Sequence, residues 1–239
     1  FVMFSDGVSH AGIGISMDFG WQSEHICDFL EKNVHPDDSP HTVAAKLAEA
    51  AKELYLGRMG DDTTVAVMKV RQRSELSIIL GPPANPEDDI PVIEKFLAEP
   101  GKKIVCGGTT SKIVSKYLGQ TVETCLDYLD PHIPPAGHMK GVDLVTEGVI
   151  TMGKVMELSD QMVAGTLPTD WADHKDAATQ IAKMLLDEAT DVNIFVGRAM
   201  NSAHQNPNLP INFSIKMKIV EVLSQNLEKI GKRVNVEYH

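Results

Sequence analysis

The sequence predicts an α/β protein in two parts, a short one over residues 1–73 and a larger one over residues 76–239. From Leu76 onward, apolar strand-like runs alternate with segments of helical periodicity, and turns containing glycine follow the strands. The charged and polar residues 72–75 separate this pattern from the preceding one. Strands alternating with helices are typical of a mostly parallel, Rossmann-like sheet covered on both faces.

The first part is predicted to contain strand, helix, helix and strand in that order. Residues 1–5 form an apolar run, and a short amphipathic segment surrounds Ile26. Apolar residues at helical spacing from Val43 to Leu54 predict a second helix, which Gly57 is placed to end. Residues 63–70 alternate and are rich in β-branched side chains, so they predict a closing strand.

The second part is predicted to hold about five strands, close to the usual size of a sheet. Each strand is a short apolar run bounded by turn residues, and the helices between them follow apolar periodicity with Gly119 and Gly231 as stops. The predicted strands are residues 76–80, 103–106, 142–145, 192–196 and 234–238. The predicted helices are residues 90–97, 109–118, 149–156, 177–189 and 215–230.

The composition indicates a globular protein, and the net charge argues against two classes of binding partner. Hydrophobic residues make up 43% of the 239 residues and charged residues 23%, and the net charge of −11 argues against nucleic acid or an anionic membrane as partner. No apolar run approaches the roughly 20 residues that span a bilayer. Cys27, Cys106 and Cys125 show no Cys-x-x-Cys spacing, which favours reduced thiols and a cytoplasmic location.

Carboxylates stand next to both strands of the first part. Asp6 and Gly7 follow the first strand, and Asp61 and Asp62 precede the closing one. Carboxylate oxygens at strand ends are suited to hard divalent cations. Aspartate and glycine are also common turn residues, so each motif taken alone is equally consistent with an ordinary turn.

The two motifs together resemble the last two metal motifs of the protein phosphatase 2C superfamily, in its bacterial stage II sporulation protein E branch. The resemblance rests on Phe4-Ser5-Asp6-Gly7, an intervening amphipathic helix, and the run from Gly60 to Thr64. It implies a partial αβ-sandwich over residues 1–73, with Asp6 and Asp61 as metal ligands. It also implies that Gly7 keeps the backbone close to the metals and that Asp62 is an outer or alternate ligand.

The resemblance further implies two Mn²⁺ or Mg²⁺ ions that activate a water against a phosphoserine or phosphothreonine. The substrate would be a phosphorylated bacterial regulatory protein, such as an anti-sigma-factor antagonist. The family also has an earlier Asp-Gly motif, whereas Asp6-Gly7 is the only Asp-Gly in this sequence. We therefore expect this chain to be the C-terminal part of a longer phosphatase, and to bind metal weakly and hydrolyse little as it stands.

Small and polar residues follow several strands of the second part, at the strand ends where open α/β sheets bind ligands. They predict a site for a small anionic ligand at the start of a helix. The Gly-Gly-Thr-Thr run is similar to the Gly-Thr-Thr sugar-phosphate loop of DeoR-type effector domains. The candidate residues are Gly107, Gly108, Thr109, Thr110, Glu147, Arg198 and Asn201, with His204 nearby.

Two alternatives stay open for the second part. Its glycines are also what any α/β domain needs at its strand-to-helix turns, which would make the candidate residues structural. If they do bind a ligand, the chain could instead function as a non-enzymatic ligand-sensing module, with residues 1–73 as a flanking segment.

Overall fold

The computed structural model describes residues 1–124, 132–199 and 211–239. The chain divides into two compact units, which we call unit 1 (Phe1–Gln72) and unit 2 (Arg73–His239). No helix within the described residues is both long enough and apolar enough to cross a membrane.

Unit 1 contains two short antiparallel strands and three helices. The elements are β1 (Val2–Phe4), α1 (Asp6–Ser9), α2 (Ser23–Asn33), α3 (Pro40–Leu54) and β2 (Val65–Val67). Both strands and both longer helices agree with the sequence prediction, although each strand is shorter than predicted, and the two strands pair antiparallel. The chain leaves α3 through Leu56 and Gly57, both of which have positive φ angles, so Gly57 does lie at the helix end.

One face of the β1–β2 pair packs onto the helices of unit 1, and the other is exposed. The inward side chains include Val2, Phe4 and Val65, which contact a core formed by Val8, Ala11, Trp21, Ile26, Leu47, Ala51 and Tyr55. On the outer face, Met3 is 57% exposed and Met68 is 52% exposed. Alternation along the strands therefore leaves an apolar sheet surface uncovered within unit 1.

Unit 2 is an α/β unit with a seven-stranded sheet among the described residues. Its strands are β3 (Glu75–Leu80), β4 (Lys102–Cys106), β5 (Glu123–Thr124), β6 (Gly137–Met139), β7 (Val142–Thr146), β8 (Asp191–Val196) and β9 (Arg233–Tyr238). Its helices are α4 (Asp89–Ala98), α5 (Gly108–Leu118), α6 (Val149–Ala164), α7 (Ala177–Ala182) and α8 (Ile211–Lys229). A π-helical turn, Lys183–Glu188, continues α7.

The sheet order is β5-β6-β7-β4-β3-β8-β9. Strands β7, β4, β3, β8 and β9 are parallel, and these are the five strands that the sequence predicts. The prediction of an α/β protein with a mostly parallel sheet is therefore confirmed. The antiparallel strands β5 and β6 were not predicted, because they are only two and three residues long and lie beside a Pro/Gly-rich stretch.

Both faces of the parallel strands β7, β4, β3 and β8 are largely buried, whereas the edge strand β9 is partly exposed. On one face Ile78, Ile104 and Leu144 lie side by side in register and contact a core that includes side chains of α6, α7 and α8. On the other face Ile79 and Val105 pair in the same way and contact a core that includes side chains of α4 and α5. Each of these four strands therefore contains a run of two or three consecutive apolar residues, which is why they are recognisable in the sequence.

Candidate functional site

Pairing of β1 with β2 brings the two aspartate motifs of unit 1 together. Beyond the paired strands, the Ser5 N–H donates to the Thr64 carbonyl oxygen at 3.0 Å. The Ser5 hydroxyl accepts the Thr64 N–H at 2.9 Å and donates to the Asp62 carbonyl oxygen at 2.9 Å. These three bonds hold the turn before Asp6 against the turn that contains Asp61 and Asp62.

Gly7 is needed where the two turns touch. A Cβ atom placed on Gly7 would lie 2.5 Å from the Asp62 carbonyl oxygen and 2.8 Å from the Thr63 hydroxyl oxygen. Both distances are too short for a side chain, so Gly7 is required for this close approach. Gly7 is also buried, and it positions the neighbouring Asp6, whose side chain is exposed.

Tyr55 lies beneath this junction and was not among the candidates from the sequence. Its buried hydroxyl donates to the Gly7 carbonyl oxygen at 2.9 Å. Burial raises the pKa of the Tyr55 phenol, and the negative charges of Asp61 and Asp6 raise this pKa further. The only sequence signal for Tyr55 is its position one turn after Ala51 on the apolar face of α3.

The donor set of this junction suits a hard cation. Asp6, Asp61 and Asp62 are all exposed, and one Asp61 oxygen accepts the Asp62 N–H at 2.8 Å. Within the described ranges, no three His, Cys, Asp or Glu side chains converge in a way that could hold a metal. Asp6 and Asp61 offer two exposed carboxylates at the junction, the type of ligand that hard divalent cations prefer.

A second junction lies at the carboxyl ends of β4 and β7 in unit 2. Gly107 and Gly148 follow these strands, with φ angles of 108° and 114°. The Gly107 N–H donates to the Thr146 carbonyl oxygen at 2.8 Å, and a Cβ atom on Gly148 would lie 3.3 Å from the Gly107 Cα atom. Helix α5 begins directly after Gly107 and α6 directly after Gly148, so two helix amino ends meet here.

Neither helix end has a side-chain cap among the described residues. Thr110 and Thr151 each occupy the third position of their helix and are 2% and 0% exposed. Neither hydroxyl has a hydrogen-bond partner within the described part of the chain. A buried hydroxyl without a partner destabilises a protein by about 1–3 kcal/mol, so these two groups call for an explanation.

Two other helices show what such an end looks like when it is capped. Asp176 precedes α7 and accepts both the Thr179 N–H, at 3.0 Å, and the Thr179 hydroxyl, at 2.7 Å. Ser39 precedes α3, accepts the Thr42 N–H at 3.1 Å, and lies 2.9 Å from the Thr42 hydroxyl. In both cases a threonine at the third helical position has its partner in the N-cap side chain.

The structure brings only part of the predicted ligand site together. Glu147 is exposed and directly precedes Gly148, so it lies beside the turn formed by Gly107, Gly108, Thr109 and Thr110. Arg198 follows β8, and strands β4 and β3 lie between β7 and β8. At about 4.8 Å per strand, roughly 14 Å separates the ends of β7 and β8, so Glu147 and Arg198 do not flank the same turn. Asn201 and His204 lie outside the described residues.

Open α/β sheets bind ligands where the crossover connections diverge, which in unit 2 is between β3 and β8. Here the chain itself occupies that place. A Cβ atom on Gly197 would overlap the carbonyl oxygens of Gly81 and Pro82, and the Lys216 ammonium donates to the Gly197 carbonyl oxygen. Burial lowers the pKa of Lys216. The junction of Gly107 with Gly148 is therefore the more open candidate in unit 2.

The thiol beneath the second junction is not reactive. Cys106 ends β4, is fully buried, and receives a hydrogen bond from the Thr146 hydroxyl at 3.4 Å. Burial raises the pKa of Cys106 to about 12, so the group stays a thiol at neutral pH. Nucleophilic thiolate chemistry is thereby excluded at this position.

Comparison of the chain with family models, with curated proteins and with solved structures found no match.

Proposed function

We propose that this chain belongs to a metal-dependent serine/threonine protein phosphatase resembling the stage II sporulation protein E branch. One observation carries the proposal. The hydrogen bonds of Ser5 with Thr64 and Asp62, together with the contact of Gly7 against Asp62, hold the Asp6 and Asp61 motifs side by side. This bonding continues the antiparallel register of β1 and β2, so it fixes the two motifs next to each other although they are far apart in the sequence.

The chain's own residues have distinct parts in this proposal. Asp6 and Asp61 supply carboxylate oxygens to the cations, and Asp62 is an outer or alternate ligand. Tyr55 fixes the Gly7 carbonyl group by its hydrogen bond and so positions the backbone that carries Asp6. When bound, two Mn²⁺ or Mg²⁺ ions would lower the pKa of a water that attacks the phosphorus of a phosphoserine or phosphothreonine.

The exposed face of the β1–β2 pair supports a larger catalytic domain. Met3, Met68 and Val70 are 57%, 52% and 80% exposed, although neighbouring side chains on the inner face are packed. Within unit 1 the two strands have helices on their inner face only, and no described element covers the outer face. A second sheet packed on Met3 and Met68 would bury this apolar surface, as the αβ-sandwich implied by the resemblance requires.

The experiment uses the intact natural protein and a peptide that carries phosphoserine or phosphothreonine. We expect phosphate release that requires Mn²⁺ or Mg²⁺ and stops when EDTA removes the metal. Release that continues in excess EDTA would contradict a metal-activated water, and no release with either metal would contradict the phosphatase assignment. By the resemblance, the natural substrate is a phosphorylated bacterial regulatory protein such as an anti-sigma-factor antagonist.

A further inference from the structure

The amino ends of α5 and α6 present a set of hydrogen-bond donors with no side-chain acceptor among the described residues. The first three N–H groups of a helix have no partner within the helix, so each end leaves three. The Gly107–Gly148 contact places these two sets next to each other. Both helices have more than two turns, and their dipoles make this junction locally positive.

The buried threonine hydroxyls add a second, independent observation. Side chains near a helix start point back toward the amino end. The Thr110 hydroxyl oxygen lies 3.6 Å from the position of a Cβ atom on Gly107, so it faces the uncapped end of α5. Thr151 occupies the equivalent position in α6. Each hydroxyl has a proton to donate and, within the described chain, no acceptor.

Helix α7 shows which chemical group satisfies this arrangement. There the Asp176 carboxylate accepts the N–H and the hydroxyl of Thr179 with two different oxygens. Gly107 and Gly148 have no side chain and cannot do this for Thr110 and Thr151. An external anion with several oxygens would take the place that the Asp176 carboxylate takes at α7.

We propose that unit 2 binds a phosphate group at the junction of Gly107 and Gly148, held by the amino ends of α5 and α6 and by the hydroxyls of Thr110 and Thr151. The contact between the two glycines is close enough for one phosphate group to reach both helix ends. Binding of phosphate by helix amino ends requires no positively charged side chain.

The junction is open to a ligand from outside. Gly108, Thr109, Val149 and Ile150 are exposed, and a Cβ atom on Gly108 would meet no other atom within 4 Å. A phosphate group can therefore approach the backbone N–H groups directly. The Thr110 hydroxyl lies near the start of α5, and rotation about its C–O bond turns the proton toward a bound oxygen.

Exposed Glu147 limits the affinity, because its negative charge directly precedes Gly148 and repels an anion. Replacing it by glutamine keeps the size of the side chain and removes the charge. At the effective dielectric of a protein surface, we expect Glu147→Gln to tighten phosphate binding about threefold.

The test uses the full chain labelled with ¹⁵N and titrated with inorganic phosphate, with chloride at equal ionic strength as the reference. We expect saturable shifts of the amide signals of residues 108–110 and 149–151 with phosphate and none with chloride. A parallel titration with glycerol 3-phosphate separates free phosphate from a phosphate ester, because the ester binds more tightly if the site accepts an organic group. Absence of saturable shifts with both compounds overturns the proposal.

The paired substitution of Thr110→Val and Thr151→Val keeps the side-chain shape and removes both hydroxyls. We expect phosphate affinity to fall about tenfold, while the matched Thr179→Val variant, which changes a buried threonine at the same position of α7, binds as the unchanged chain does. Equal affinity in the paired variant and the unchanged chain overturns the role of the hydroxyls. If the paired variant fails to fold, the Glu147→Gln variant provides the test. Phosphate binding that is weaker than, or equal to, that of the unchanged chain contradicts the proposed position of the site.

Discussion

The two units present opposite charges at the ends of their strands. In unit 1 the β1 and β2 ends carry exposed carboxylates from Asp6 and Asp61, which would attract a cation. In unit 2 the ends of β4 and β7 lead into helices whose N–H groups have glycines in place of capping side chains, which would attract an anion. Short turns at strand ends therefore support opposite chemistry, depending on whether they carry exposed carboxylates or lead into a long helix without a capping side chain.

Within unit 2, α5 and α6 differ from α7 by one side chain at the helix start. Asp176 satisfies Thr179 inside the protein, whereas Gly107 leaves Thr110 without an acceptor. A helix start that is capped by a side chain of the protein contributes to folding stability. A helix start without such a cap gains the same hydrogen bonds only when a ligand binds to it. This difference is the physical basis on which we separate a structural turn from a binding site.

The largest expected effect tests the carboxylate side of the comparison. In the intact protein, Asp6→Ala and Asp61→Ala should each reduce phosphatase activity roughly a hundredfold or more, since each removes a carboxylate from the metal site. Asp37→Ala, in an exposed loop of unit 1, is the matched control and should leave activity unchanged. Phosphate release from a phosphopeptide at saturating Mn²⁺ measures the effect. Full activity in either variant would show that the aspartates are turn residues.

The next effect tests the capped end against the open ends. Thr179→Val should lower the free energy of unfolding of unit 2 by about 1–2 kcal/mol, because it removes the hydroxyl that donates to the second Asp176 oxygen, although the Thr179 N–H still donates to the first. Thr110→Val and Thr151→Val should leave the free energy of unfolding unchanged or raise it by up to about 1 kcal/mol. The reason is that each substitution removes a buried hydroxyl without a partner among the described residues.

Amide hydrogen exchange of the buried strands of unit 2, measured without phosphate, gives these free energies. A loss with Thr110→Val comparable to that with Thr179→Val would mean that the Thr110 hydroxyl already has a partner, and the comparison between α5 and α7 would fail.

A smaller effect sharpens the same comparison at α7. Asp176→Ala removes the cap and should lower the stability of unit 2 by about 1 kcal/mol. In that background Thr179→Val should no longer be destabilising, since the Thr179 hydroxyl has already lost its acceptor. A double-mutant cycle by hydrogen exchange measures the coupling. Additive losses would show that the carboxylate and the hydroxyl act independently.

The smallest effect concerns the Tyr55 phenol in unit 1. Because Asp61 and Asp6 disfavour a nearby negative charge, Asp61→Asn should lower the raised pKa of Tyr55, and Asp37→Asn should not. The raised pKa means that the protonated phenol stabilises unit 1 below the ordinary tyrosine pKa of 10.0, and that this stability is lost as the pH rises further. Ultraviolet titration of tyrosinate measures the pKa of Tyr55 in both variants. An unchanged Tyr55 pKa in Asp61→Asn would place the carboxylate far from the phenol.

Much of the fold was predictable, because four of the parallel strands are largely buried on both faces and the helices between them have apolar residues at a spacing of about 3.6. Strands β5 and β6 were not, since two or three residues carry no periodicity. At the candidate sites, Asp6, Asp61 and Thr110 were identifiable from residue type and position alone. Tyr55 and Thr151 were not, because in the sequence each resembles an ordinary residue of an amphipathic helix.

The sequence by itself determined the strands other than β5 and β6, most of the helices, and which turns carry carboxylates, glycines and threonines, because these depend on neighbours within a few residues. The tertiary structure alone decided which turns meet. Strand order brings Gly107 and Gly148 into contact and leaves Arg198 beyond two further strands. The fold likewise places the Tyr55 hydroxyl on the Gly7 carbonyl group. Such contacts depend on how crossover connections and side-chain packing arrange distant segments, and no local pattern of residues encodes that arrangement.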